Sequence, residues 1–182
     1  LHLDGDMQAL AQDCADTFRI CNLFVGGNMR RYMAQDNVDY LPMFLSEIPQ
    51  MFRSGRRAPD VSLIQVSQPD AHGYCSLGTS VDVARAAIES SGLVIAQINP
   101  NMPHTHGDGF VPMSRFDATV YCDDPLPELL PPHLTDVERK IGQNVAQLIE
   151  NGSTLQMGIG TIPDAVLSAL GGHRDLGIHT EM

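Results

Sequence analysis

The sequence predicts an open, mostly parallel α/β sheet with flanking helices, and three observations predict it. Two short apolar runs rich in β-branched residues, DVSLIQV (60–66) and LVIAQI (93–98), are bounded by Pro, Ser and Asn, as buried strands are. A helical stretch, VDVARAAIESSG, lies between them and completes a strand-helix-strand unit. The same order returns downstream as helix 135–150, strand 153–157, helix 163–170 and strand 176–180.

Each element has local support. The helix between the first two strands can start on Ser80 or Asp82, whose side chains accept backbone N–H bonds, and it ends at Gly92. SQPDAHGYCSLG, after the first strand, reads as a turn-rich connection around Asp70 and His72. In CDDPLPELLPPHL, Pro125, Pro127, Pro131 and Pro132 can continue neither a helix nor a central strand, so this stretch reads as a linker. The expected division is therefore 1–127 and 128–182. Thr135 with Glu138 forms a capping box, worth about 1 kcal/mol, and Val137, Ile141, Val145 and Leu148 mark one helical face before Gly152. LQMGIGTIPDAVL then puts Gly158 and Gly160 at a strand-to-helix turn, with Pro163 in the first helical turn, where a missing N–H does no harm.

The 182 residues are 43% hydrophobic, enough for a real core. A formal charge of −11 argues against nucleic acid or an anionic membrane as a general partner, and no apolar run approaches the roughly 20 residues of a membrane span. Cys14, Cys21, Cys75 and Cys122 show neither C-x-x-C spacing nor the density of a disulfide scaffold, so reduced thiols are expected. The chain opens on Leu1 and stops one residue past Glu181, inside an apparent strand, which suggests a piece of a longer polypeptide.

Several segments could carry chemistry. The G-I-G turn could present backbone N–H groups to an oxyanion or phosphate, or be a structural turn only. Glu181 stands 21 residues after Gly160, where a ribose-binding acid of a dinucleotide fold belongs, but the third fingerprint glycine is missing. At a strand's carboxyl end, Glu181 is either a ligand-facing acid or a solvated one. His104, His106 and Asp108 in MPHTHGDG begin a binuclear zinc pattern, with Gly109 where its last histidine should be. Cys75 reads as structural. Arg30, Arg31, Arg53, Arg56 and Arg57 form either a local basic site or a solvated surface.

Four ordered stretches carry a resemblance: FVGGNMRRYMAQDNVDYLPMFLSEIP, QVSQPDAHGYCSLGTSVDVARAAI, AQINPNMPHTHGD, and STLQMGIGTIPDAVLSAL followed by DLGIHTEM. Together the chain resembles the acetyl-CoA hydrolase/transferase family, in particular its 4-hydroxybutyrate CoA-transferase-like members. The resemblance implies a class I CoA-transferase-like fold of two related α/β domains, of which this chain holds the first, without its start, and the beginning of the second. It implies Glu181 as the nucleophile that forms a glutamyl-CoA thioester, with ping-pong kinetics. Gln156, Gly158 and Gly160 are then the residues lining the pocket, their amides contacting CoA or the oxyanion, while His179 orients or packs.

The same resemblance implies an acyl-CoA and a small carboxylate as substrates, with acetate as one partner, and hydrolysis where water captures the thioester. It implies no metal and no permanently bound cofactor, coenzyme A entering as a thioester substrate. A homodimer is expected for the full-length protein, in the bacterial cytoplasm or the mitochondrial matrix. A metal-dependent hydrolase using His104, His106 and Asp108 is the alternative chemistry. The 182-residue piece alone is expected to turn over little.

Overall fold

The computed structural model describes residues 5–128 and 130–180. The chain divides into two units, Leu1–Pro127 and Glu128–Met182. In the first, β1 (Ile20–Asn22) and β2 (Val38–Tyr40) pair in parallel beside a cluster of Met7, Ala11, Met29, Tyr32 and Val38. Helix α1 (Ile48–Arg53) follows, then β3 (Val61–Val66), β4 (Tyr74–Ser76), α2 (Ala84–Ser90), β5 (Leu93–Ile98), β6 (Phe110–Pro112) and β7 (Ala118–Tyr121). Strands β3, β5 and β7 form a parallel sheet in that order, with Leu63 opposite Ile95 and Ile95 opposite Ala118. β4 and β6 pair antiparallel.

Side chains alternate across a pleated sheet, and the two faces of β3–β5–β7 differ. Val66, Val94, Ala96 and Ile98 point into a core completed by Cys75, Leu77, Ile88 and Val111. On the other face Val61, Leu63, Leu93 and Val120 are exposed, Leu63 to 77%. The mostly parallel α/β architecture is the one the apolar runs predict.

Four local expectations are corrected. SQPDAHGYCSLG is more than a connection, because β4 lies inside it. Helix α2 starts later than Ser80 or Asp82: the Asp82 carboxylate accepts from the N–H groups of Val83 and, at 3.2 Å, Ala84, an Asp-led turn ahead of the helix. It also ends before Gly92, since Ser91 is already extended (φ −83°, ψ 144°) and donates from Oγ to Ala87 O at 2.7 Å, with Ser62 Oγ 2.6 Å away. Serine chemistry, not a glycine cap, stops it.

The fourth correction concerns the second unit, which holds α3 (Asp136–Ala146), β8 (Thr154–Leu155), α4 (Thr161–Ala169) and β9 (Gly177–Ile178). The capping box is present, with Glu138 N donating to Thr135 Oγ1 at 3.3 Å and Thr135 N to Glu138 Oε2 at 2.7 Å. The buried face of α3 runs through Gly142 and Ala146, with Val145 packed beside them and Ile141 half-buried as predicted, while Val137 and Leu148 are 67% and 83% exposed. Gly142 sets this rotation: a Cβ there would lie 2.4 Å from Ala165 O, so the α4 backbone docks on the bare glycine. Ala146, Leu155, Val166 and Leu170 form the small core that results.

Among the described residues no helix is long and apolar enough to cross a membrane. The four cysteines are free.

Candidate active site

The strand-turn-helix at 154–169 is built from its strand outward. Leu155 is buried against Ala146, Val166 and Leu170, which anchors β8 by one side chain. β9 runs parallel to it, with Thr154 opposite Gly177 and Leu155 opposite Ile178. Gly177 allows this approach, since a Cβ there would stand 2.9 Å from Thr154 Oγ1. The ladder gains one further bond, His179 N to Leu155 O at 2.9 Å. Beyond it the pairing changes character: Thr180 Oγ1 accepts from Met157 N–H (3.2 Å) and donates to Met157 C=O (2.7 Å). This is why β8 and β9 are shorter than the sequence predicts.

Past β8 the chain turns outward. Gln156, Gly158, Ile159 and Gly160 are all exposed at the carboxyl edge of the strand pair, the edge at which open α/β folds bind ligands. Gly160 takes φ +130°, a conformation open to glycine alone, and it caps α4 without a side chain. Helix α4 begins at Thr161, two residues earlier than expected, so Pro163 is its third residue. The helix's first N–H groups at Thr161 and Ile162 lack intrahelical acceptors by geometry. Around Gly158 only Pro163 Cγ lies near the position of a Cβ, at 3.9 Å, and around Gly160 nothing lies within 4 Å.

Glu138, on α3, reaches the first residue of α4 after this turn. The Thr161 hydroxyl, the Thr135 backbone N–H and the Thr135 hydroxyl together hold its carboxyl down to about 2. Sequence spacing gave Glu138 a single partner, Thr135. The second, on α4, is visible only once the two helices are packed.

The structure thus brings Gln156, Gly158 and Gly160 together in one exposed turn, with Thr180 tied to Met157 in the middle of it. Glu181 lies outside the described residues. A hollow lined by Ile149, Glu150, Asn151, Ala169, Gly172 and His173 is formed by the residues before β8 and at and after the end of α4. Because α4 returns antiparallel to β8, that hollow is at the amino edge, away from the turn.

In the first unit the other candidates have separate local partners. His104 Nδ1 is 3.2 Å from Ser67 Oγ, the His104 and His106 rings meet edge-on with centroids 6.2 Å apart, and Asp108 pairs with Arg85 at 3.3 Å. Among the described residues no three His, Cys, Asp or Glu side chains form a group that could hold a metal. Cys75 is fully buried, and burial pushes its thiol up to about 11. Arg31 pairs with Asp6 and stacks on Tyr32, Arg53 pairs with Glu89, and Arg57 reaches Cys21 Sγ at 3.8 Å. Asp70 accepts from the N–H groups of Tyr74 and His72, which lower its pKa and close the turn before β4.

Sequence reasoning missed Asn99. Its side chain is fully buried, donates to Gln65 Oε1 (2.7 Å) and Asp124 O (2.8 Å), and accepts from Asn101 N (3.0 Å). It ties together the carboxyl ends of β3 and β5 and the segment after β7. The available signal was the pair of asparagines around Pro100, directly after a strand.

The model of the acetyl-CoA hydrolase/transferase amino-terminal domain matches residues 4–130. The chain belongs to this family. It is 53% identical over 165 residues to the 4-hydroxybutyrate coenzyme A transferase of Clostridium kluyveri, covering 91% of this chain and 38% of that protein. A succinyl-CoA:acetate/propanoyl-CoA:succinate CoA transferase of Fasciola hepatica is 48% identical over 171 residues, 93% of this chain and 36% of the relative. The crystal structure of a 4-hydroxybutyrate CoA-transferase from Porphyromonas gingivalis superposes with a TM-score of 0.77 at 39% identity, covering 94% of this chain and 46% of that one. The family member described here therefore spans little more than a third of the length of these curated relatives.

Proposed function

We propose that this chain is part of a CoA-transferase that moves CoA between an acyl-CoA and a small carboxylate through a thioester on Glu181. The observation that carries the CoA-transfer reading is the 53% identity, over nearly the whole chain, to an enzyme named 4-hydroxybutyrate coenzyme A transferase. The exposed G-I-G turn at the carboxyl edge of β8, with the end of β9 fastened to it, supports the same reading from geometry.

The Glu181 carboxylate attacks the thioester carbonyl. The tetrahedral adduct collapses with loss of CoA thiolate, leaving an acyl-glutamyl anhydride. The thiolate then attacks the glutamyl carbonyl, expelling the first carboxylate and leaving glutamyl-CoA. A second carboxylate reverses both steps and departs as a new acyl-CoA. Each addition puts negative charge on a carbonyl oxygen, so fixed donors are required where it develops. Gln156, Gly158 and Gly160 supply them in this reading. Acetate as one partner is supported by the name of the Fasciola hepatica relative. Hydrolysis shares the intermediate and differs only in whether water reaches it. A homodimer in the cytoplasm, or in the mitochondrial matrix, completes the proposal.

The test uses the intact enzyme. It is incubated with acetyl-CoA, reduced with borohydride and mapped by mass spectrometry, while labelled acetate reports exchange and a thiol reagent reports free CoA. Modification confined to Glu181 with exchange of acetate is expected. An unmodified Glu181 peptide in protein that turns acetyl-CoA over rejects the mechanism, and CoA release without exchange replaces transfer by hydrolysis.

A further inference from the structure

We infer that Thr180 is a positioning residue for the reaction: its hydroxyl fixes the end of β9 against the G-I-G turn and so sets where the next residue, Glu181, meets its substrate. The inference rests on Glu181 being the nucleophile. Little else holds this end of the strand. β9 has two residues, Ile178 is 62% exposed, and His179 contributes its backbone bond but an exposed side chain.

The hydroxyl does what a peptide group of a longer strand would do. It accepts from Met157 N–H at 3.2 Å and donates to Met157 C=O at 2.7 Å, so one side chain satisfies both backbone groups of one residue. Two consequences follow for the site. Met157 N–H is occupied, so it is not among the donors open to a reacting oxygen, and the candidates Gln156 and Gly158 flank it, with Gly160 beyond. The Thr180 side chain is also held in one rotamer, because two bonds and a β-branched carbon fix its first torsion. The chain entering Glu181 is thereby referenced to the same residue that the candidate donors flank.

Two substitutions separate the hydroxyl from the shape of the side chain. Thr180→Val keeps the branched form and removes both bonds, whereas Thr180→Ser keeps the bonds and removes the methyl. In the intact enzyme, thioester formation on Glu181 would be timed by rapid quench into borohydride, alongside steady-state kcat and KM and thermal melting. A nucleophile displaced by about 1 Å loses on the order of 100-fold in rate. The expected pattern is a 10- to 100-fold slower labelling and kcat in Thr180→Val (about the scale of that displacement), KM within about threefold, and near-parental rates in Thr180→Ser. Parental labelling by Thr180→Val overturns the inference and leaves the mechanism standing. A folded Thr180→Ser that labels 100-fold slower than the parent also overturns it. A parent enzyme that turns over without label on Glu181 removes the mechanism and the inference together.

Discussion

Replacing Gly142 with alanine sets two effects of opposite sign against each other. In the interior of α3 a glycine costs about 1 kcal/mol relative to alanine, so propensity alone predicts that the variant is more stable. The packing predicts the reverse. The new Cβ would stand 2.4 Å from Ala165 O, 2.6 Å from Ala165 C and 3.0 Å from Val166 N, all backbone atoms of α4 that no rotamer change can move. Restoring ordinary contact near 3.4 Å requires α3 and α4 to part by roughly 1 Å. That loosens Ala146, Leu155, Val166 and Leu170, which form the core of the unit. Overpacking of this kind costs about 1–3 kcal/mol, and the propensity gain of about 1 kcal/mol offsets part of it. A net loss of up to about 2 kcal/mol, centred on about 1, is expected, a fall in Tm of about 2–4 °C at that centre for a chain of this size. Thermal and urea unfolding by circular dichroism would measure it, and hydrogen exchange would show lost protection in α3 and α4. A Gly142→Ala variant more stable than the parent by the roughly 1 kcal/mol that propensity alone predicts would refute the claim that α4 docks on the bare glycine.

The turn and the acid range supply two further tests. Gly160→Ala is strained at φ +130° and should cost about 1–3 kcal/mol, whereas Gly158→Ala meets only Pro163 Cγ at 3.9 Å and should leave melting unchanged, so activity lost by the folded Gly158→Ala enzyme would report a substrate pressed against that backbone. Because folding lowers the pKa of Glu138 from 4.5 to about 2, its contribution to stability is complete above about pH 4.5 and is lost as the pH falls toward 2. Acid titration of Glu138→Gln should show a flatter loss of stability across that window, and an unchanged acid limb would show that the carboxylate does not stabilise the start of α4.

What could be read from the sequence was chemistry confined to a few neighbouring residues. The Thr135–Glu138 box depends on a three-residue spacing and was legible for that reason, as were the apolar runs that became β3 and β5. The face of α3 was legible only in part, at Ile141 and Val145, because a glycine inside a helix advertises a propensity penalty and gives no hint of a partner helix at 165–166. The true stop of α2 depends on Ser62, 29 residues before Ser91, and the role of Asn99 depends on Gln65 and Asp124. For the candidate site, the G-I-G turn could be located from its glycines. The bond from Thr180 to Met157 could not, since a threonine at a strand end has no periodicity to betray it.

The sheet β3–β5–β7 buries one face and leaves Leu63 and Val120 on the other at 77% and 57% exposure. Unfolding raises the heat capacity in proportion to the apolar surface newly wetted, about 12–15 cal/mol/K per residue in an ordinary domain. A sheet that already shows one apolar face to water wets less on unfolding. The increment expected for this unit is below that range, which calorimetry would show. A smaller increment flattens the stability curve, so the unit that carries β5 and Asn99 is expected to lose stability gradually on either side of its maximum.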